Sequence, residues 1–394
     1  MKKYSLLLAG LFLILLINTA TAQHTEKIPP GGCTTGMYSR ADYMVDAAGF
    51  LQRALAARQA EPGINNFTTP YVIRCFIRIF RDSDGSSAAC TIAEATQNFQ
   101  EMNVQYAGHN ICFQLMGIDY INDSYGNHMP YDTLIDTDYK AYLNTKRLSS
   151  AFTIFIHNEF VASGSSGQAY DIPNSFVSIA RWATIDATVH TIFGHEVGHA
   201  LGLYHTFQKQ YYTNGTVKSE QVSRLSTNSC YNCQTFGDLC CDTPADYSGS
   251  DGFVNGTTCV YTGTKKDTCG PTAYAPSTIN IMSYMPWQCL AFGSTGFTTD
   301  QRTRMHATIN DVNGPIYSKV APDNATFGFG FIFSSGFLIN SGRNSLGSVG
   351  TNTYNGSSQF YGAVNDNGAI TINPGTSFAP GSSGLAVLAV TSCN

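Results

Sequence analysis

The chain has 394 residues, a net charge of −5 and 12% charged residues, enough length for a sizeable core and a second folded unit. No Lys/Arg cluster stands out, which argues against nucleic acid as a partner. The only long apolar run is N-terminal and short for a membrane span, so no span is expected once it is removed.

That first segment has Lys2 and Lys3, an apolar stretch from Tyr4 to Ile17, then Ala20-Thr21-Ala22. Basic, apolar and small residues in this order form a secretory signal, so residues 1–22 are expected to be cleaved and the protein secreted; an uncleaved anchor is the alternative. Twelve cysteines in an exported chain favour disulfides over thiol chemistry. Residues 23–66 read as a pro-segment with a helical pattern from Ala41 to Ala60, and Arg53 and Arg58 offer activation cuts.

Residues 67–318 read as the main domain. Tyr71 to Phe80 is β-branched and aromatic throughout, which predicts a buried strand. Helical spacing follows from Thr91 to Tyr106, then strands at Asn110–Leu115 and Phe152–Ile156. Gln168–Asp171 and Phe176–Ile179 form a strand pair before the next helix. This order predicts an α/β (α+β) fold with a mixed, twisted sheet leading into an active-site helix. From Gln208 to Tyr274 loops dominate and six of the twelve cysteines are found, a loop-rich, disulfide-stapled lower subdomain. A last helix starts near Thr298, with Thr299 or Asp300 as its cap. Residues 319–394 turn to Gly, Ser, Asn and Thr and read as a small C-terminal all-β unit, its clearest strand and turn at Gly368–Gly375.

The most specific motif is His195-Glu196-Val197-Gly198-His199-Ala200-Leu201-Gly202-Leu203-Tyr204-His205. His195 and His199 are four apart, so on a helix they share a face and can close on one metal ion. Gly202 suits a sharp stop because glycine enters positive φ without steric cost. The chain can then return His205 as a third ligand. Three imidazoles and one open position is how a catalytic zinc is held, and Glu196 is near enough to act as a base on water there. A buried helix that happens to carry three histidines is the alternative.

Downstream residues narrow the reading. Asn280-Ile281-Met282-Ser283-Tyr284 looks like the Met-turn of the metzincins. Together with Leu203–Phe207, Gly237-Asp238, Asp242-Thr243-Pro244 and Phe297–Met305, it resembles the pappalysin branch in its compact, ulilysin-like form, over residues 68 to 312. The resemblance implies a zinc metallopeptidase acting on protein or peptide substrates. It implies His195, His199 and His205 as ligands, Glu196 as general base, Met282 as the supporting methionine and Tyr284 as a donor to the oxyanion. An ordinary buried phenol is the other reading of Tyr284. Ser283 departs from the pattern, which commonly has an acid there.

The resemblance also implies structural calcium, for which Asp238, Asp242 and Thr243 offer hard oxygens; a plain acidic surface loop is the alternative. It suggests two disulfides, Cys233 with Cys269 and Cys259 with Cys289. Cys75 or Cys90 with Cys112 is a further candidate, and adjacent Cys240 and Cys241 must serve different partners. Cys33 loosely resembles a pro-segment thiol that blocks an open zinc position, and a disulfide with Cys393 is equally open. The competing function is a non-catalytic, zinc-stabilised exported binding or adhesion protein acting through its C-terminal unit, which would also give cell-surface association.

Overall fold

The computed structural model describes residues 70–130, 136–161, 165–186, 188–189, 191–211, 217–290 and 296–320, and the backbone of short strands between residues 325 and 390. The expected signal, the pro-segment and Cys33 lie outside these residues. A five-stranded sheet organises the main unit. Its strands are β1 (Tyr71–Arg81), β2 (Ile111–Asn122), β4 (Phe152–His157), β7 (Phe176–Ala180) and β6 (Gly167–Gln168). The order is β2-β1-β4-β7-β6. The first four run parallel, and β6 closes the edge antiparallel to β7. A small parallel pair, β3 (His128–Pro130) with β5 (Glu159–Val161), stands beside it.

Every residue of β4 and β7 is buried, as continuous apolar runs require when a parallel sheet is covered on both faces. Alternation along β1 sorts the two faces. Ile73, Cys75, Ile77 and Ile79 join Phe152, Ile154, Ile156, Val177 and Ile179 in the larger core. That core is covered by α1 (Ile92–Ala107) through Ala95, Phe99, Met102 and Tyr106, and by Phe193, Val197 and Ala200 of the helix that carries the histidines. Phe80, Phe155 and Phe176 face the other way, onto Tyr139 and Leu143 of α2 (Asp136–Lys146). α1 starts where the sequence places it, because Thr91 accepts the amide of Glu94 while Glu94 returns to the Thr91 amide, a capping box.

Two short helices, α3 (Arg181–Ile185) and α4 (Ile192–Ala200), follow β7. Beyond α4, regular structure nearly ceases until α5 (Thr299–Asn310). The cap of α5 is Thr298, not Thr299 or Asp300. Its hydroxyl accepts the Gln301 amide and Gln301 reaches back to the Thr298 amide, so the box fixes the start one residue earlier. No helix among the described residues is long and apolar enough to cross a membrane. Between Ala325 and Val390 eight short strands are described, and they pair in parallel: Ala325–Phe327 with Arg343–Leu346, for example, and Leu338–Ser341 with Ser358–Gly362. Partners 19 to 28 residues apart in sequence, stacked in parallel, are the pairing pattern of a coil.

Disulfides replace regular hydrogen bonding in the intervening loops. Cys259 pairs with Cys289 at a Cα–Cα distance of 5.3 Å. The suggested Cys233–Cys269 bond is corrected: Cys233 pairs with Cys241 and Cys269 with Cys230. The reason is the turn at Asn228–Phe236, whose local backbone bonds face Cys233 inward, fully buried, and leave Cys230 outward beside exposed Cys269. The suggestion for Cys75 or Cys90 is also corrected. Both are free buried thiols on the large core, while Cys112 is disulfide-bonded.

Candidate metal centre

α4 positions the first two histidines by its own geometry. With 3.6 residues per turn, His195 and His199 stack on one face, and their Nε2 atoms lie 3.2 Å apart. The helix stops at Gly202, which takes φ +94°, and the amides of Gly202 and Leu203 close back on the carbonyls of His199 and Gly198. This reversal brings His205 to the same point, with its Nε2 3.3 Å from that of His195 and 3.1 Å from that of His199. Nitrogens bound about 2.0–2.1 Å from a tetrahedral ion would stand about 3.3 Å from one another, so the triad fits zinc. Among the described residues it is the one group of three or more His, Cys, Asp or Glu side chains close enough together to hold a metal.

The protonation pattern agrees with that fit. His195 Nδ1 donates to the Ile281 carbonyl at 2.6 Å and His199 Nδ1 to the Leu203 carbonyl at 2.8 Å. Each Nε2 of this pair therefore carries a lone pair, and the two cannot hydrogen-bond each other. Burial pushes the His195 imidazole down to about 4. His199 and His205 are also held well below the usual histidine range, by burial first and by the neighbouring rings second. Neutral nitrogens facing one point are what a metal ion requires.

The remaining residues surround this point. Glu196 is fully buried, and the backbone of Gly167 on β6 packs so close that a methyl there would lie 2.6 Å from Glu196 Cγ. Met282 is fully buried beneath α4, its Sδ 2.5 Å from where a Gly198 side chain would begin. The turn that carries it is tied down by Asn280, which receives the Met282 amide and exchanges two side-chain hydrogen bonds with Gln301 of α5. The Tyr284 ring stands 4.9 Å from that of His205 and 6.2 Å from that of His195. Phe207 stacks on His205 at 4.8 Å and meets Tyr284 at 4.6 Å, a contact the motif alone did not reveal.

A second polar centre lies below. Asp238 and Thr243 are buried together with Glu220, which sequence reasoning missed because it sits in a loop with no motif. Glu220 lies 2.7 Å from Arg224, yet its Oε2 and the Oδ2 of Asp238 find no hydrogen-bond donor. Burial raises both carboxyl pKa values, and for Glu220 the Asp238 charge adds to the effect. Adjacent buried carboxylates with vacant lone pairs are what a hard cation satisfies. Asp242 is not part of this centre: it is exposed, and its Oδ2 accepts the Asp300 amide at the start of α5, where the helix dipole favours a carboxylate. Arg304 lies near both centres, its charge drawing the Asp238 carboxyl pKa down against the effect of burial. It is buried, its Nε donates to the Gly202 carbonyl, and its guanidinium lies over the Tyr204 ring at 4.5 Å.

Residues 160–235, which contain β6, β7, α4 and all three histidines, match the family model described as Peptidase M66. An extracellular metalloprotease of Colletotrichum graminicola is 26% identical over 60% of this chain and 76% of its own length. Another, from Neurospora crassa, is 28% identical over 71% of this chain and 88% of its own. These likenesses support a metallopeptidase. The solved metalloproteinase-II of Bacteroides fragilis aligns at 16% identity over 41% of this chain, which spans about half (54%) of that structure; with a TM-score of 0.28 it carries no weight for the fold.

Proposed function

We propose that the chain is an exported zinc endopeptidase of the pappalysin branch of the metzincins, hydrolysing internal peptide bonds of proteins or peptides. The observation that supports it most is the convergence of three imidazole nitrogens within 3.3 Å beside a buried glutamate. A zinc ion held there would supply a Lewis acid for the scissile carbonyl and lower the pKa of water. Glu196 takes the proton of the attacking water and returns it to the leaving amine. Tyr284 donates its phenol proton to the developing oxyanion, a role its closeness to His205 supports. Met282 packs under α4 and keeps the histidine face flat. β6 ends the sheet next to Glu196, so an extended substrate adds to that edge through main-chain bonds and lies across the base.

In the same reading, calcium occupies the centre of Glu220, Asp238 and Thr243 and stiffens the loops below the zinc. The basic, apolar and small-residue order of residues 1–22 directs export. Cys33 is a candidate to hold the enzyme latent, and the C-terminal strands are candidates for association with the cell surface. Mass spectrometry of a peptide library incubated with the purified chain tests the proposal. Internal cuts are expected that vanish with a zinc chelator and return with added zinc. A library left intact by the zinc-loaded chain would overturn the peptidase reading in favour of a zinc-stabilised binding protein.

A further inference from the structure

The two helical ligands are held in register by α4, but His205 is not. It sits on a loop, and its position depends on what holds the residues around it. The Leu203 carbonyl is fixed by His199, and the Thr206 amide donates to the Met282 carbonyl at 3.1 Å. The Gln208 amide returns to the His205 carbonyl at 3.0 Å. The Thr206 side chain is held by a carboxylate forty residues away in the chain.

Asp246 is 2% exposed, and four donors converge on it. Its Oδ2 accepts the Thr206 hydroxyl at 2.6 Å and the Ser283 hydroxyl at 3.2 Å. Its Oδ1 accepts the Ser250 hydroxyl at 2.6 Å and the Tyr247 amide at 2.7 Å. Thr206 follows the third histidine directly. Ser283 lies between the methionine and the tyrosine. One oxygen atom therefore joins the ligand loop to the turn beneath the metal, while the other anchors that oxygen to the stapled loops.

We propose that Asp246 is a positioning residue for the metal centre: its carboxylate locks Thr206, and through it His205, to the Met282 turn at the distance the ion requires. This role rests on the metal reading above. An ionised carboxylate only accepts, so both hydroxyls must donate to it, and each side chain is held in a single rotamer. Ser283 itself has no charge to offer; Asp246 brings the acid to that turn from a different loop.

Zinc affinity by chelator competition, with the visible spectrum of the cobalt-substituted protein, tests the role without reference to proteolysis. Asp246→Asn keeps the volume and one acceptor oxygen but presents an amide donor to one pair of hydroxyls. Thr206→Val removes only the hydroxyl nearest the ligand and keeps the fold should the first variant misfold. Either change is expected to weaken zinc by about ten- to a hundredfold, as is usual for groups that orient a ligand, and to shift the cobalt bands. The two together should cost little more than one alone, because they break the same link. Thr206→Ser, which keeps the donating hydroxyl, should hold affinity within about twofold of wild type. Folded Asp246→Asn and Thr206→Val proteins with wild-type affinity and spectrum, or a strictly additive pair, would overturn the positioning role. A wild-type chain that binds no zinc would instead overturn the metal reading on which it rests.

Discussion

Among the described residues, Tyr71 to Ala200 is held by a mostly parallel sheet, its covering helices and two apolar cores; Gly202 to Phe297 is held by three disulfides, buried carboxylates, side-chain hydrogen bonds and a small apolar cluster. The histidine triad lies across the boundary, with His195 and His199 from the first region and His205 from the second. Apolar packing is non-directional and tolerates small errors of aim, and the helix alone keeps His195 and His199 in register. The loop ligand has no such scaffold. Its geometry needs directional contacts, and the second region supplies them beside its apolar ones.

The comparison can be broken or sharpened by experiment. The largest expected effect is on chemistry alone: Glu196→Gln should cut kcat/KM by about a thousandfold, within the range for general bases, with zinc still bound. Retained turnover would break the assignment of the base to the first region. Next come paired losses of stability. Ile154→Ala opens a cavity at a fully buried position of the sheet and should cost about 2–5 kcal/mol. Replacing Cys259 and Cys289 together by serine should cost about 3 kcal/mol. Denaturant unfolding measures both. Zinc affinity separates them, since only the cysteine pair should loosen the loop ligand; equal effects on zinc would erase the distinction between the regions.

A smaller effect is expected from Tyr284→Phe, about a hundredfold in kcat with KM little changed if the phenol meets the oxyanion only in the transition state. The smallest concerns the lower carboxylates. Burial raises the pKa of Glu220 and Asp238, so without a cation the native chain holds more protons there than the unfolded one. That contribution is fully present below the ordinary carboxylate pKa and is lost as pH rises through the raised one. A bound cation reverses the trend, because it needs the ionised oxygens. The midpoint gain on adding calcium should therefore grow from pH 5 to pH 8, and a gain that shrinks over that range would remove calcium from this centre.

Sequence legibility follows the same boundary. β4 and β7 were readable because a strand buried on both faces must be apolar without interruption, and the histidine helix because the spacing of its two histidines matches helical periodicity. Gly202 was readable for its backbone freedom. α2 was not, since Asp136–Lys146 is polar apart from the few residues, Tyr139 and Leu143, that reach the core. β6 was expected to run further than Gln168, but its pairing with β7 covers only two residues. Below Gly202 no periodicity exists to read. Glu220, Asp246 and Arg304 meet their partners across spans of loop, and the pairing of Cys233 with Cys241 depends on which way one turn faces. Directional contacts between distant loops leave no trace in local spacing.

Gly167 and Gly198 lead to one more consequence. The edge strand lies against the glutamate, and the methionine sulfur lies against the helix, only because each glycine lacks a methyl group. The centre is thus moulded partly by absent atoms, which no inventory of ligands records. A related chain that kept His195, Glu196, His199 and His205 but carried alanine at either position would still be found by a motif search. Its base or its sulfur would nonetheless be wedged from its seat, so these two positions are where an apparent relative should first be checked before it is credited with the same chemistry.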